Sequence, residues 1–231
     1  MKRRDATVEA VGAGTPAPEG RLSDRAYAAF KTQLFSGGLK PGQFVSQREL
    51  VELIGVPLGP TREAVQKLAL EGFVQIVPQR GIQVAGATPK MIRDAFQLRV
   101  LVEKEAALQF AECASDAEIE DLAEAHRAVV AAAAERIDDG LLERAQATDR
   151  DMHDVMVRRL NNEFVWNIHC VNSDRIRLIR LDHGLLTPAN LRSAMDEHLA
   201  ILDACARRDA AAAAYAMEVH LSTAMRRAMG V

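Results

Sequence analysis

From Thr88-Pro89 almost to its last residue, the chain repeats apolar side chains at helical spacing, and no alternating strand pattern interrupts them. A period near 3.6 gives each segment one buried stripe, which only another helix or a core can cover. Stop signals recur at Asp138-Asp139-Gly140, Asn161-Asn162, Gly184 with Pro188, and Arg207-Arg208-Asp209. Between them the spacing predicts helices over about 88–113, 115–136, 141–160, 163–182, 188–207 and 209–228. Thr88 caps the first, with Pro89 in its first turn, and Ser115-Asp116 opens the second. Aromatic content is only 4%, and alanine is frequent, which favours closely packed helices over sheet. Residues 87–231 therefore read as a six-helix bundle, an architecture whose interior commonly holds metals and ligands.

The pattern before that point is different. Tyr27, Phe30, Leu34 and Phe35 recur at helical spacing behind Ser23, a candidate cap, and Gly37-Gly38 ends the segment. Lys40-Pro41-Gly42 is a turn. Ser46-Gln47-Arg48-Glu49 is a capping box, so Gln47–Ile54 is expected as a short helix burying Leu50, Leu53 and Ile54, with Gly55 as its stop. A further helix is expected over about 60–71, with Pro60 at its first position, Ala64, Val65, Leu68 and Ala69 inward, and Arg62, Gln66 and Lys67 away from that face. Residues 73–77 and 82–84 then alternate about Pro78-Gln79-Arg80-Gly81, which predicts a two-stranded wing. Three helices and a wing form a winged helix-turn-helix, whose last helix enters the major groove. Gly81 would let the wing tip approach the DNA backbone or minor groove, with Arg80 beside it.

The expected organisation is a mobile Ala/Gly/Pro-rich arm over 1–21, a DNA-binding head over 22–86 and the bundle over 87–231. The class is mainly α. Residues 1–86 carry 11 Lys and Arg against 8 Asp and Glu, and the remainder 18 against 24. A basic head on an acidic body suits a protein that meets phosphates with one end, and the overall charge of -3 argues against indiscriminate coating of nucleic acid. Cys113, Cys170 and Cys205 are scattered, without metal or disulfide spacing, and read as reduced cytoplasmic thiols. No apolar run approaches the roughly 20 residues of a membrane span, and no apolar segment of a secretory signal follows Met1-Lys2-Arg3-Arg4.

The bundle also carries a candidate site. Asp149 and His153 are four apart in one expected helix and share a face, while His198 and His220 sit on the last two helices. One carboxylate and three imidazoles suit zinc, nickel, cobalt or manganese. Asp151 points to another face, and acid–base chemistry from an Asp149/Asp151 pair is not expected. His126, His169 and His183 lack partners at ligand spacing and read as ordinary structural or surface histidines.

The head resembles the DNA-binding domain of the GntR family. The resemblance rests on Gly38-Leu39-Lys40-Pro41-Gly42, Arg48-Glu49-Leu50, Gly55-Val56, Pro60, Arg62-Glu63-Ala64-Val65, Leu68, Glu71-Gly72-Phe73 and Pro78-Gln79-Arg80-Gly81. It implies that Arg48 and Arg62 touch DNA and that Gly81 forms the wing tip; Gln66, Lys67 and Arg80 complete the expected DNA-reading set. The family usually has Ser-Arg-Thr-Pro where this chain has Pro57-Leu58-Gly59-Pro60. A base-reading arginine is thus replaced by Leu58 and a capping serine by Pro57, which implies an altered operator.

The bundle resembles the FCD domain of FadR-type GntR regulators, in Arg99 with Glu103, Asp149 to His153, Asn161 or Asn162, Glu197 to Ala204, Asp209-Ala210 and His220-Leu221. Six helices place it nearer the VanR-like branch. The resemblance implies that Asp149, His153, His198 and His220 bind a divalent metal, zinc first among the candidates. An anionic carboxylate effector would fill its open positions, and Arg99 would pair with the effector or orient a ligand. Arg177, Arg180 and Arg192 are weaker candidates for the same cavity; for Arg180 and Arg192 a surface salt bridge is the favoured reading. The implied protein is a homodimeric repressor released from its double-stranded DNA operator by a small organic acid. A metal-dependent hydrolase and a regulator with a purely structural metal are the alternatives.

Overall fold

A computed structural model describes residues 20–231. The arm expected over 1–21 lies, up to residue 19, outside the described residues. Among these, nine helices and three strands run in the order α1 (Leu22–Phe35), β1 (Phe44–Val45), α2 (Gln47–Ile54), α3 (Leu58–Leu70), β2 (Val74–Val77), β3 (Gly81–Val84), α4 (Pro89–Cys113), α5 (Asp116–Glu135), α6 (Asp139–Arg159), α7 (Glu163–His183), α8 (Leu191–Ala206) and α9 (Ala210–Met229). The fold is mainly helical: a winged helix-turn-helix followed by a six-helix body.

Local chemistry starts and stops these helices. In the capping box of α2 the Glu49 N–H donates to Ser46 Oγ at 3.1 Å and the Ser46 N–H donates to the Glu49 carboxylate at 2.7 Å. Ser115 and Glu118 repeat the device on α5. Thr88 Oγ1 accepts from the Met91 N–H at the head of α4, and Asn162 caps α7. Each such cap contributes about 1 kcal/mol.

Four local expectations are corrected. Ser23 caps nothing: α1 begins at Leu22 behind Arg21, with no side-chain cap. The helix α3 begins at Leu58, so Pro60 is its third residue, still within the first turn, where a missing N–H costs nothing. Its entry is secured by Thr61, whose buried hydroxyl donates to the Val56 and Pro57 carbonyls at 3.0 and 2.9 Å. Leu53 is 39% exposed, leaving Leu50 as the buried anchor of α2. The wing has a third strand, because β1 pairs antiparallel with β3 in the order β1-β3-β2.

That third strand explains Gly81. Its φ is +102°, and a Cβ there would lie 2.9 Å from the Val45 carbonyl oxygen of β1. Only glycine meets both conditions.

The head core gathers Phe30, Leu34, Leu50, Leu68, Phe73 and Ile82, and it is completed by Leu178, a fully buried residue of α7 in the body. Further links join α7 to the head. Lys31 pairs with Asp174, Arg175 Nε donates to the Glu71 carbonyl at 2.9 Å, and the Arg177 guanidinium lies 3.8 Å over the Phe35 ring. The largest body cluster holds Phe110, Met152, Met156, Ile201, Leu202, Met217 and Leu221. These residues come from α4, α6, α8 and α9, the helices that carry the candidate site.

Candidate functional site

On α6, Met152, Met156 and Val157 face the core, and this fixes the helix rotation so that Asp149 and His153 look inward one turn apart. His198 lies on α8 between buried Met195 and Ile201, and His220 on α9 beside buried Leu221. One potential ligand atom from each of Asp149, His153, His198 and His220 lies within 4.8 Å of all the others. The three imidazoles are buried, His198 completely. His198 Nε2 stands 3.2 Å from His220 Nε2 and 3.6 Å from Asp149 Oδ1. Ligands at 2.0–2.1 Å around a tetrahedral ion are spaced by about 3.4 Å.

The outer nitrogens decide which atoms carry lone pairs. His126 Nδ1 faces the Leu122 carbonyl at 2.7 Å, which only accepts, so this nitrogen bears the proton. Burial lowers the His126 pKa and keeps the ring neutral, leaving its Nε2 bare. That atom lies 3.1 Å from His198 Nδ1, which must then donate and leave His198 Nε2 bare as well. His220 Nδ1 donates to Glu197 Oε2 at 2.9 Å, and Arg227 pairs with the same carboxylate. His153 Nδ1 is 2.7 Å from Glu103 Oε2, without the alignment of a hydrogen bond, and its buried Nε2 has no protein partner. Two bare Nε2 atoms, those of His198 and His220, therefore converge with the His153 ring beside a carboxylate. Such an arrangement is repulsive until a cation sits between the lone pairs, and the outer partners are those that orient metal-binding histidines.

Electrostatics agree. Burial is the largest cause lowering His198 and His220, reinforced by neighbouring histidines, so both stay neutral and able to ligate. Burial would raise Asp149, but Arg180, then His198, His153 and Arg99, hold it well below the usual carboxylate range. Glu103 is likewise held low, against burial, by Arg99 and His153.

A narrow cleft opens beside this cluster, lined by Arg99, Asp149, Arg150, His153, Asp154, Ser173, Ile176, Arg177 and Arg180. Arg180 Nη2 donates to Asp149 Oδ2 at 2.7 Å, while its buried Nε and Nη1 have no partner. Arg180 is thus a cavity residue, 12% exposed at the side chain, and the surface-bridge reading is corrected. Arg99 lines the cleft but spends its guanidinium on Glu103, at 2.8 and 3.2 Å. Arg192 is exposed on α8 and does not line the cleft. His126 and His169, read as structural or surface histidines, are buried and hydrogen-bonded beside the cluster and not among its four donors. His126 fixes the His198 tautomer, and buried His169 lies 2.7 Å from Asp154 and 3.9 Å from Glu103. No sequence spacing marks either one. His183 is exposed, as expected.

In the head, Arg48, Arg62, Gln66 and Lys67 are exposed on α2 and α3. Arg62 Nε donates to Gln47 at 2.9 Å and Arg48 pairs with Glu52 at 3.2 Å, both contacts that solvent or phosphate can replace. Lys67 leans over the Tyr27 ring, 4.2 Å away. Arg80, in the wing turn, stacks on Phe44 at 4.4 Å.

A winged helix-turn-helix on a helical body with an internal donor cluster defines the class of a DNA-binding regulator. Comparison with known proteins identifies the family: the bacterial regulatory proteins of the gntR family match over residues 22–84 and the FCD domain over 94–223. The chain belongs to the GntR family of transcriptional regulators and carries an FCD domain. It is similar to the HTH-type transcriptional repressors RspR and GlaR of Escherichia coli strain K12. RspR is 26% identical over 88% of this chain and 87% of that protein, GlaR 25% over 85% and 91%. Among solved structures, E. coli McbR/YncC has a TM-score of 0.71 at 18% identity, covering 91% of this chain and 98% of its own. The metal-free FCD domain of TM0439 has 0.53 at 18%, covering 63% and 96%.

Proposed function

We propose that this chain is a homodimeric transcriptional repressor whose FCD domain binds a divalent metal, zinc first among the candidates, through Asp149, His153, His198 and His220. A small carboxylate effector would complete the site and release the operator. The observation that carries the reading is the convergence of three buried imidazoles and Asp149, with ligand atoms within 4.8 Å of one another, beside the unpartnered donors of Arg180. Bound there, the metal supplies residual positive charge for an acid to fill. The chain's own residues do the rest. His126 and Glu197 orient the His198 and His220 imidazoles, and Arg180 keeps N–H donors on Nε and Nη1 for an incoming anion.

Two relatives named as repressors support the sign of regulation. Arg48, Arg62, Gln66, Lys67, Arg80 and Gly81 form the expected DNA-reading set, and two heads would read a two-fold operator. No helix among the described residues is long and apolar enough to cross a membrane, and a reader of operators works in the cytoplasm. A hydrolase is disfavoured because Glu103 and Glu197, the candidate bases, are committed to Arg99, His153, His220 and Arg227.

Native mass spectrometry with elemental analysis tests the reading directly. The expected result is a dimer with one metal per chain, lost in His198→Ala. A stoichiometric metal that leaves DNA affinity unchanged by any acid would reduce the site to a structural one.

A further inference from the structure

The metal cleft has a second chamber. The cleft itself has a volume of only about 20 Å³. A ligand of more than a few atoms therefore extends outward. Directly outside lies a vestibule of about 290 Å³ lined by Phe35, Gln146, Arg150, Arg177, Arg180 and Leu181. Arg150, Arg177 and Arg180 line both spaces, so three guanidiniums form the wall between them.

This wall is short of anions. Arg150 makes no ion pair among the described residues. Arg177 has only Asp174 Oδ1, at 3.6 Å, and that carboxylate is already paired with Lys31. Asp154 is engaged by His169. Arg180 gives one N–H to Asp149 and keeps Nε and Nη1 buried and unpartnered. Burial, with Arg150 and Arg180 close by, lowers Arg177 below its usual pKa against the pull of Asp174. Clustered, partly desolvated guanidiniums with spare donors match a second carboxylate or a phosphate.

We propose that Arg150 and Arg177, with Arg180 as the shared wall, form a second anion-binding subsite in this vestibule, and that the effector is a small acid with two anionic groups. One group would sit on the metal side of Arg180 and the other in the vestibule under Phe35 of α1. The inference rests on the reading of the inner site as one for a metal and a carboxylate. Arg177 sets the preference for the doubly charged acid, and because its guanidinium stacks on Phe35 of the head, engaging the second anion alters a contact between body and head.

The test is isothermal titration of the zinc-loaded full chain with two matched pairs, butyrate against succinate and glycerate against 3-phosphoglycerate. The second anion is expected to tighten binding about tenfold or more in at least one pair. The pair that responds distinguishes carboxylate from phosphate. Arg177→Gln and Arg150→Gln should each remove most of that gain, read as the ratio of diacid to monoacid affinity, and Arg177→Lys should restore part of it. Equal affinities within both pairs, or a gain that survives both glutamine variants, overturn the subsite while the inner site stands. Failure of all four acids to bind the zinc-loaded protein overturns both readings.

Discussion

His126 Nε2 lies 3.1 Å from His198 Nδ1, and through that contact a residue outside the four-donor cluster dictates which nitrogen of His198 faces the other donors. The proton chain starts at a backbone carbonyl, passes through a neutral imidazole and ends at a lone pair. Removing His126 should therefore weaken the metal without removing a ligand. His126→Ala is expected to lower zinc affinity by about 10- to 100-fold, read by competition with a chromophoric chelator. Unchanged affinity would break the tautomer argument.

Acid should unfold the metal-free protein early. His126, His198 and His220 are all lowered in the folded state, so below the ordinary imidazole pKa of about 6.5 the unfolded chain takes up protons that the folded chain refuses. Stability is then lost as pH falls from that value toward the depressed folded values, at up to about 1.4 kcal/mol per pH unit for each histidine. Asp149, also lowered, adds a loss at lower pH, beginning below its unfolded value. Urea titrations between pH 7.5 and 5, chosen to bracket the imidazole range, would show the slope; a flat profile refutes it.

Metal should stabilise the folded chain by mass action. At about 100 times its dissociation constant the expected gain is about 2.7 kcal/mol, or several degrees in Tm. His220→Ala should abolish that gain whatever it does to the metal-free Tm, and differential scanning calorimetry with and without chelator separates the two effects.

Gly81→Ala should cost about 1–3 kcal/mol, because alanine would be held at a φ of +102° with its Cβ 2.9 Å from the Val45 oxygen. A drop in Tm with loss of DNA binding is expected. An unchanged Tm would mean that β1 moves aside freely.

On the DNA side, Leu58 is 42% exposed at the first position of α3, where the resemblance places an arginine. Leu58→Arg should raise DNA affinity and steepen its salt dependence by about one phosphate's worth. Arg62→Ala should do the reverse. Fluorescence anisotropy over a salt series measures both.

Much of this was legible in the sequence because it is local. The capping box at Ser46, the cap at Ser115, the Thr88-Pro89 start, the stop at Gly55 and the i, i+4 pair Asp149/His153 each need only a few neighbouring residues. What was hidden depends on partners distant along the chain. The strand Phe44–Val45 has two residues and exists through its pairing with Gln83 and Ile82, so no periodicity could announce it. His126 meets His198 across two helices, and Arg180 reaches Asp149 from α7. Arg192 is charged and near His198 in sequence, yet it faces outward because α8 buries Leu191, Ala194 and Met195 instead.

Leu178 carries a consequence for how such regulators can be recombined. Because a body side chain packs into the buried core of the head, the two parts are not interchangeable cassettes. A head excised after Val84 would expose to water the apolar surface that Leu178 covers. A head grafted onto a foreign body would inherit whatever residue that body offers at the same spot. Chimaeras that swap sensors between operators must therefore carry this stretch of α7 along with the head.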